Sequence, residues 1–268
     1  MKKFIVLLFL GACTIACRQT ETTNEEEKSM AVAPPSNMDS LRRQYIALRQ
    51  ASTNPMPLKQ VLELGKLNPV DEGPIDTLFF LFRENLKNTI QQKNVFGLLD
   101  AVDENIKNGF GDNNGFAAFV TQWALDKPET AADSKLWQVL AEVLDLGGVF
   151  RDKQRTFWAN YVAATWPPNY DGFEYGAIIG SGVRLRSAPN LQSKTIKSVS
   201  YDVVKILEQT EKEETIGGET FPWVKLALLD GKEGFVYGKF LSSPVGYRAG
   251  FERKASGKWQ MVFLLAGD

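Results

Sequence analysis

The chain of 268 residues contains no histidine. That absence excludes Ser-His-Asp and Cys-His catalysis, and with them every histidine-containing zinc or non-haem iron site. Carboxylate, lysine and tyrosine chemistry remain. The only two cysteines, Cys13 and Cys17, lie within the first 17 residues. Everything after them therefore has neither a disulfide nor a thiolate metal site, and a redox role for that part is excluded. Charge of one sign is also missing: the net charge is -1, with no basic tract interleaved with aromatics. Nucleic-acid binding lacks its usual electrostatic footprint. The longest apolar run, Phe4 to Ala16, is too short for a membrane-spanning helix of about 20 residues. Neither a metal nor a cofactor is expected.

Met1-Lys2-Lys3 followed by Phe4 to Ala16 has the basic start and short apolar core of an export signal. Its end resembles a bacterial lipobox, in which small residues precede a cysteine that becomes lipidated and forms the mature N-terminus. Two registers fit. Thr14-Ile15-Ala16-Cys17 allows an apolar core of normal length, and Leu10-Gly11-Ala12-Cys13 has the better residue pattern but a shorter core. Cys17 is the expected lipidation site and Cys13 the alternative, so residues 1–16 read as a signal peptide. Residues 17–37 are rich in Thr, Glu, Ala, Pro and Ser and read as a flexible tether. About twenty such residues reach roughly 25 Å from an anchor. Loss of the first sixteen residues leaves 29 basic against 32 acidic side chains, a net charge of -3.

Residues 38–166 show helical periodicity, which predicts an N-terminal helical domain. Leu41, Tyr45 and Leu48 share one face; Phe79, Phe82, Leu86 and Ile90 recur behind a capping Asp76. Val95, Leu98, Leu99, Val102 and Ile106 predict a further helix, as do Phe116, Phe119, Val120 and Trp123. Leu136, Trp137, Leu140 and Leu144 follow an expected cap at Asp133 and end at Gly147-Gly148. Phe157, Trp158 and Tyr161 predict a short last helix. Thr165-Trp166-Pro167-Pro168-Asn169-Tyr170 breaks the pattern and opens a linker over 167–181.

Residues 182–241 alternate as strands. Val183 and Leu185 alternate with Arg184 and Arg186, and Val203 to Leu207 is a β-branched run. Trp223 to Leu228 and Gly234 to Tyr237 flank an Asp230-Gly231 hairpin signal. Val183, Arg184, Arg186, Pro189, Trp223, Val224, Asp230, Gly231, Gly234, Phe235, Val236, Phe240 and Leu241 together resemble the pattern of bacterial SH3 (SH3b) domains, small barrels that bind or scaffold. The resemblance covers less than a quarter of the chain. Residues 242–268 add a hairpin beyond the usual end of such a domain, with Trp259 to Ala266 apolar on both faces. A strand of that kind is covered on both sides, which predicts that the hairpin packs between barrel and helices. The expected fold class is α+β: a helical domain, then a small SH3-like β-barrel with an extra C-terminal β-hairpin.

Three groups are candidate sites. Asp100, Asp103 and Glu104, on a helix, would present carboxylates on one face for acid-base work or a hard cation. The loop Gly109 to Gly115 has oxygen ligands beside glycines but lacks the spacing of a helix-loop-helix calcium site, and reads as a turn with a helix cap. Arg184, Arg186, Tyr201, Trp223, Phe235 and Tyr237 could build a groove for a peptide carboxylate, Arg supplying bidentate pairing and the aromatics flat apolar contact. No catalytic residue is assigned. The expectation is a non-catalytic, lipid-anchored envelope protein of the bacterial outer membrane, held through its N-terminal lipid, that binds peptidoglycan stem peptide or a peptide of another envelope protein. In the alternative the barrel is scaffold and the helices contact the partner; a carboxylate-based cell-wall hydrolase is a further one.

Overall fold

A computed structural model describes residues 37–52 and 55–267. The expected signal peptide, tether and lipidation sites Cys13 and Cys17 lie outside the described residues. From Asn37 onward the described residues form one compact unit, of mixed α+β class. Among the described residues no helix is long and apolar enough to cross a membrane.

Helix α1 (Asn37–Ala51) buries no residue fully and meets the rest through Tyr45. The Tyr45 ring stands 5.3 Å from that of Phe80, and its hydroxyl donates to Pro74 O at 2.9 Å. Helix α2 (Thr77–Gln91) begins where expected, with Asp76 Oδ1 accepting from the Phe79 N–H at 2.8 Å. Its apolar stripe, Phe79, Leu86 and Ile90, faces the main core. Short helices α3 (Val95–Leu99), α4 (Phe116–Gln122) and α5 (Pro128–Ala131) precede the longer α6 (Leu136–Asp145), and α7 (Tyr161–Ala164) follows it. The cap of α6 differs from expectation. Lys135 is the capping position, and Ser134 Oγ, not Asp133, accepts from the Leu136 N–H at 3.2 Å.

The stretch 38–166 also contains strands, which corrects the all-helical expectation. They are β1 (Val102–Lys107), β2 (Val149–Arg151) and β3 (Thr156–Ala159). With β11 (Arg248–Arg253) and β12 (Trp259–Leu265) they make a five-stranded sheet in the order β1-β12-β11-β3-β2. Only β1 and β12 pair in parallel. Val102 and Ile106 misled because a spacing of four satisfies a helix and, being even, also one face of a strand. Both are buried, on β1. Phe157 and Ala159 are buried on either side of half-exposed Trp158, the period of two. The C-terminal hairpin is thus built into the first half of the protein as interior strands of its sheet. Phe79, 0% exposed, sits at the centre of the packing, its ring 4.2 Å from Phe157, 4.8 Å from Trp259 and 5.8 Å from Phe251. On the other face of β12, Phe263 packs 5.4 Å from Trp158. Gly250 makes this possible, since a Cβ there would stand 2.0 Å from the Phe263 ring.

Strands β4 (Tyr175–Ile178), β5 (Val183–Arg186), β6 (Thr195–Val199), β7 (Val203–Ile216), β8 (Glu219–Leu228), β9 (Glu233–Tyr237) and β10 (Leu241–Ser242) form an antiparallel seven-stranded sheet, in the order β10-β4-β7-β8-β9-β5-β6. It curls into a half-barrel. Strand β4 lies within the span expected to be linker, and β10 pairs with it through Leu241↔Ile178 and Ser242↔Ala177. The concave side holds Ile178, Val183, Leu185, Val199, Val204, Leu226, Leu228 and Val236.

An extended run, residues 65–72, ties the two sheets together. At one end the Leu67 N–H donates to Tyr201 O at 2.7 Å and the Val203 N–H to Gly65 O at 2.9 Å. At the other, the Gly148 N–H donates to Val70 O at 3.1 Å and the Glu72 N–H to Gly148 O at 2.9 Å. A small apolar cluster between the sheets, including Leu67, Val70, Val149, Tyr161, Ala177 and Val203, fills the junction.

Candidate functional site

The six residues singled out for a groove separate into four places. Trp223 and Tyr237 are paired across β8 and β9, their ring centroids 5.8 Å apart, and both are buried. Their polar atoms are engaged internally: Trp223 Nε1 donates to Glu214 Oε2 at 2.9 Å, and the Tyr237 hydroxyl lies 3.0 Å from Glu214 O and 2.5 Å from Glu219 O. Arg186 and Phe235 are register partners on β5 and β9. Arg186 is only 8% exposed and donates to Ser193 O at 2.8 Å. Arg184 is exposed. Tyr201 occupies the turn before β7 with φ +59 and serves the Leu67 N–H through its carbonyl. A register shift between Leu185 and Arg186, where Ile196 of β6 has no partner, places two successive residues of β5 in the interior.

The carboxylate trio does not share a helix face either. Asp100 is the C-cap of α3, while Asp103 and Glu104 are successive residues of β1 and so point to opposite sides. Asp103 pairs with Lys254 at 2.8 Å. Burial opposes its ionisation, but the Lys254 hydrogen bond, the Asn105 backbone N–H and the lysine charge outweigh that and hold its carboxyl below the usual range. Among the described residues no three Asp, Glu, Cys or His side chains are grouped to hold a metal. The Gly109 to Gly115 loop folds on itself. Asn114 Oδ1 accepts from the Asn108 N–H at 2.8 Å, and Gly115, at φ +92, caps α4.

What the fold brings together instead is a cleft between α6 and the place where the start of β8 meets the turn into β10. Helix α6 turns Leu136, Trp137, Leu140, Val143 and Leu144 inward, which leaves Glu142 and Asp145 on its outer side. Facing them, the chain leaves β9 in a tight turn, Gly238–Phe240, and re-enters as β10. The turn runs so close to β8 that a Cβ on Gly238 would stand 2.7 Å from Pro222 O. The space between holds about 340 Å³ and is lined by Glu142, Asp145 and Leu146 on one side and by Ile179, Glu219, Phe221, Gly238, Lys239, Leu241 and Ser242 on the other. The Phe221 ring packs edge-on to Tyr237, centroids 5.6 Å apart, so one wall rests on the aromatic pair of β8 and β9.

The polar groups of this cleft are committed only to surface partners. Asp145 pairs with Lys87 at 2.9 Å, Glu142 accepts from Gln138 Nε2 at 2.8 Å, and Lys239 pairs with Glu219. Exposed ion pairs contribute about 0–1 kcal/mol each, so a ligand can exchange them at small cost. An apolar floor of Phe221, Leu241, Ile179 and Leu146, with the carboxylates of Glu142 and Asp145 on one wall and the Lys239–Glu219 pair on the other, suits a molecule with both charges and some apolar surface. Periodicity carried no signal for this site, because its walls come from residues roughly a hundred positions apart. Only Leu241, the end of the SH3b-like pattern, was marked in the sequence. No protein-family model, curated protein or solved structure matches the chain.

Proposed function

We propose that the protein is a non-catalytic, lipid-anchored component of the bacterial cell envelope, exported to the outer membrane, whose SH3b-like sheet binds a peptide in the cleft beside α6. The observation that carries this is the distribution of charge around an apolar floor: Glu142 and Asp145 on the helix, and on the opposing side Lys239 in an exposed, exchangeable pair with Glu219. A peptidoglycan stem peptide, or an exposed segment of an envelope protein, offers an ammonium, a carboxylate and short apolar side chains. The ammonium meets Glu142 and Asp145, the carboxylate meets Lys239, and the apolar groups cover Phe221 and Leu241. The ligand then lies in this cleft, and Arg184, on an open surface, stands outside it.

Co-sedimentation of the full chain with protein-stripped peptidoglycan sacculi tests the reading. Bound protein in the pellet, lost on Lys239→Glu and retained on Arg184→Glu, is the expected result. Binding that survives Lys239→Glu and Asp145→Lys moves the ligand elsewhere, and release of soluble fragments from the sacculi would make the protein an enzyme. A second reading, with the sheet as scaffold for a partner-contacting helical half, draws on the internal use of Trp223, Tyr237 and Arg186. In that case the pellet holds no protein, and cross-linking in intact cells returns a protein partner at the outer faces of the helices.

A further inference from the structure

Leu62 and Leu64 are 89% and 96% exposed, on a surface where Val61 is also largely open. They occupy or adjoin a tight turn, closed by the Lys66 N–H donating to Glu63 O at 3.1 Å and requiring Gly65 at φ +74. A positive φ there favours glycine. The turn is held firmly. Lys66 Nζ donates to Ser200 O at 2.8 Å and to Asp202 Oδ2 at 3.1 Å, and Gly65 O accepts from the Val203 N–H. Two leucines are thus displayed to solvent on a backbone anchored to the curled sheet. Beside them, across a cavity of about 500 Å³, lie Trp166, Pro167 and Pro168.

We propose that this turn is a membrane-contact surface, with Leu62 and Leu64 entering the headgroup layer of a bilayer that carries anionic lipid. The proposal rests on the lipid-anchor reading above. Three observations favour a bilayer over a protein partner. The first is shape: leucines at a protruding turn form a plug, which a deformable lipid surface accommodates without a matching pocket. The second is the border. Lys59 and Lys66 flank the turn in sequence. Gly65 lies against Leu229, 3.0 Å from a Cβ built on the glycine, which brings the Asp230 tip alongside with Lys197 and Lys232. Lys66 pairs with Asp202, and Lys197 and Lys232 share Asp230, so with Lys59 and Glu63 the border carries one positive charge in excess, and a tryptophan stands at its margin, as at an interfacial surface. The third is reach. Two leucines bind a bilayer too weakly to hold a free protein, but a tether of about twenty residues from a lipidated Cys17 supplies an effective concentration in the millimolar range. The contact would set the orientation of the tethered protein on the membrane.

The test uses the full-length protein purified from membranes and reconstituted in phosphatidylethanolamine–phosphatidylglycerol vesicles, with an environment-sensitive fluorophore attached at Leu64→Cys or, as a control, at the exposed Lys212→Cys. A several-fold rise in emission at position 64, quenched by brominated lipid, absent at position 212 and abolished by Leu62→Asp, is the expected outcome. An unchanged melting temperature for the variants separates lost contact from lost fold. Emission at position 64 that stays at its aqueous level on vesicles overturns the proposal, and protection of the Leu64→Cys thiol in cells but not on vesicles assigns the surface to a protein instead. The mass of the mature N-terminus reports separately on the anchor. If it carries no lipid, the anchor reading falls, and the same labelled chain held on nickel-chelating vesicles by an N-terminal hexahistidine tag still decides whether the turn enters lipid.

Discussion

Every ladder of the seven-stranded sheet pairs strands drawn from one continuous stretch, β4 to β10. In the five-stranded sheet, by contrast, β1 pairs with β12 and β3 with β11, partners some 90 to 160 residues apart. In the first sheet β5–β6, β7–β8 and β8–β9 are hairpins, and the other three pairs, β4–β7, β5–β9 and β4–β10, span 26 to 65 residues. The second cannot form until the last strands of the chain have been supplied, since Phe251 and Trp259 complete the packing around Phe79. Long-range pairing of this sort incurs loop-closure entropy before its contacts repay it. The pattern detectable in the sequence covers the sheet whose strands come from one continuous stretch. The apolar positions of the larger core, such as Phe79, Leu86, Leu140 and Trp259, were readable too, but not the strand partners that bring them together.

A chain that stops after Ser243 should separate the two sheets most sharply. It retains all seven strands of the curled sheet and removes β11 and β12 from the middle of the other. The loss exceeds the net stability of an ordinary domain, about 5–15 kcal/mol, so amides of α2, α6 and β1 should lose hydrogen-exchange protection while those of β7 and β8 retain part of theirs. Equal loss in both sheets would mean that the run 65–72 and its apolar cluster make them one cooperative unit.

A smaller effect is expected where that run joins the helical layer. Arg83, its side chain 4% exposed, donates to both carboxylate oxygens of Asp71, at 2.6 and 2.9 Å, and stands near Glu84 at 3.2 Å. Removal of one partner leaves the other charge buried, and Arg83→Met should cost about 3–5 kcal/mol in a denaturant titration. Adding Asp71→Leu should recover a substantial part of that loss. If the single and double variants are equally unstable, the guanidinium acts through packing on Phe80 and Phe157, 5.7 and 6.0 Å away, more than through its charge.

Particular residues show why some of this was legible and some was not. Asp76 and Asp230-Gly231 were readable because a cap and a hairpin turn are decided within a few residues. Asp76 caps α2, and Gly231 adopts φ +82 beneath a Leu228 N–H bond to Lys232 O at 2.9 Å. Val102 and Ile106 were ambiguous in principle, since only the presence of β12 as a neighbour chooses strand over helix for their spacing. Arg184 and Arg186 alternated as expected, yet the register shift on β6 and the carbonyl of Ser193 took one of them inward. Glu142 and Lys239 had no local reason to be read together, and the cleft exists only because α6 lies against the turn after β9.

A weaker tie, accessible through pH, sharpens the same contrast. Lys254, at the tip of the C-terminal hairpin, pairs with Asp103 of β1 at 2.8 Å, and so links two parts of the five-stranded sheet that sequence separates by 151 residues. The Asp103 pKa is lowered in the fold, burial opposing and Lys254 and the Asn105 N–H prevailing. A depressed carboxylate pKa contributes stability that is complete above its unfolded value of about 3.9 and is lost as pH falls through the folded value. Lys254 is shifted upward, burial opposing and Asp103 and Glu252 prevailing, so its share is complete below the unfolded lysine value of about 10.4 and is lost only above it. Between those limits the pair is constant. Asp103→Asn should therefore lower stability by about 1 kcal/mol at neutral pH, and its unfolding curve should converge with that of the natural chain as the pH drops below about 4. Curves that stay parallel down to the acid limit would show that the Asp103 carboxylate does not couple the hairpin to β1, leaving the apolar packing of β12 as the sole closure of the sheet on that side.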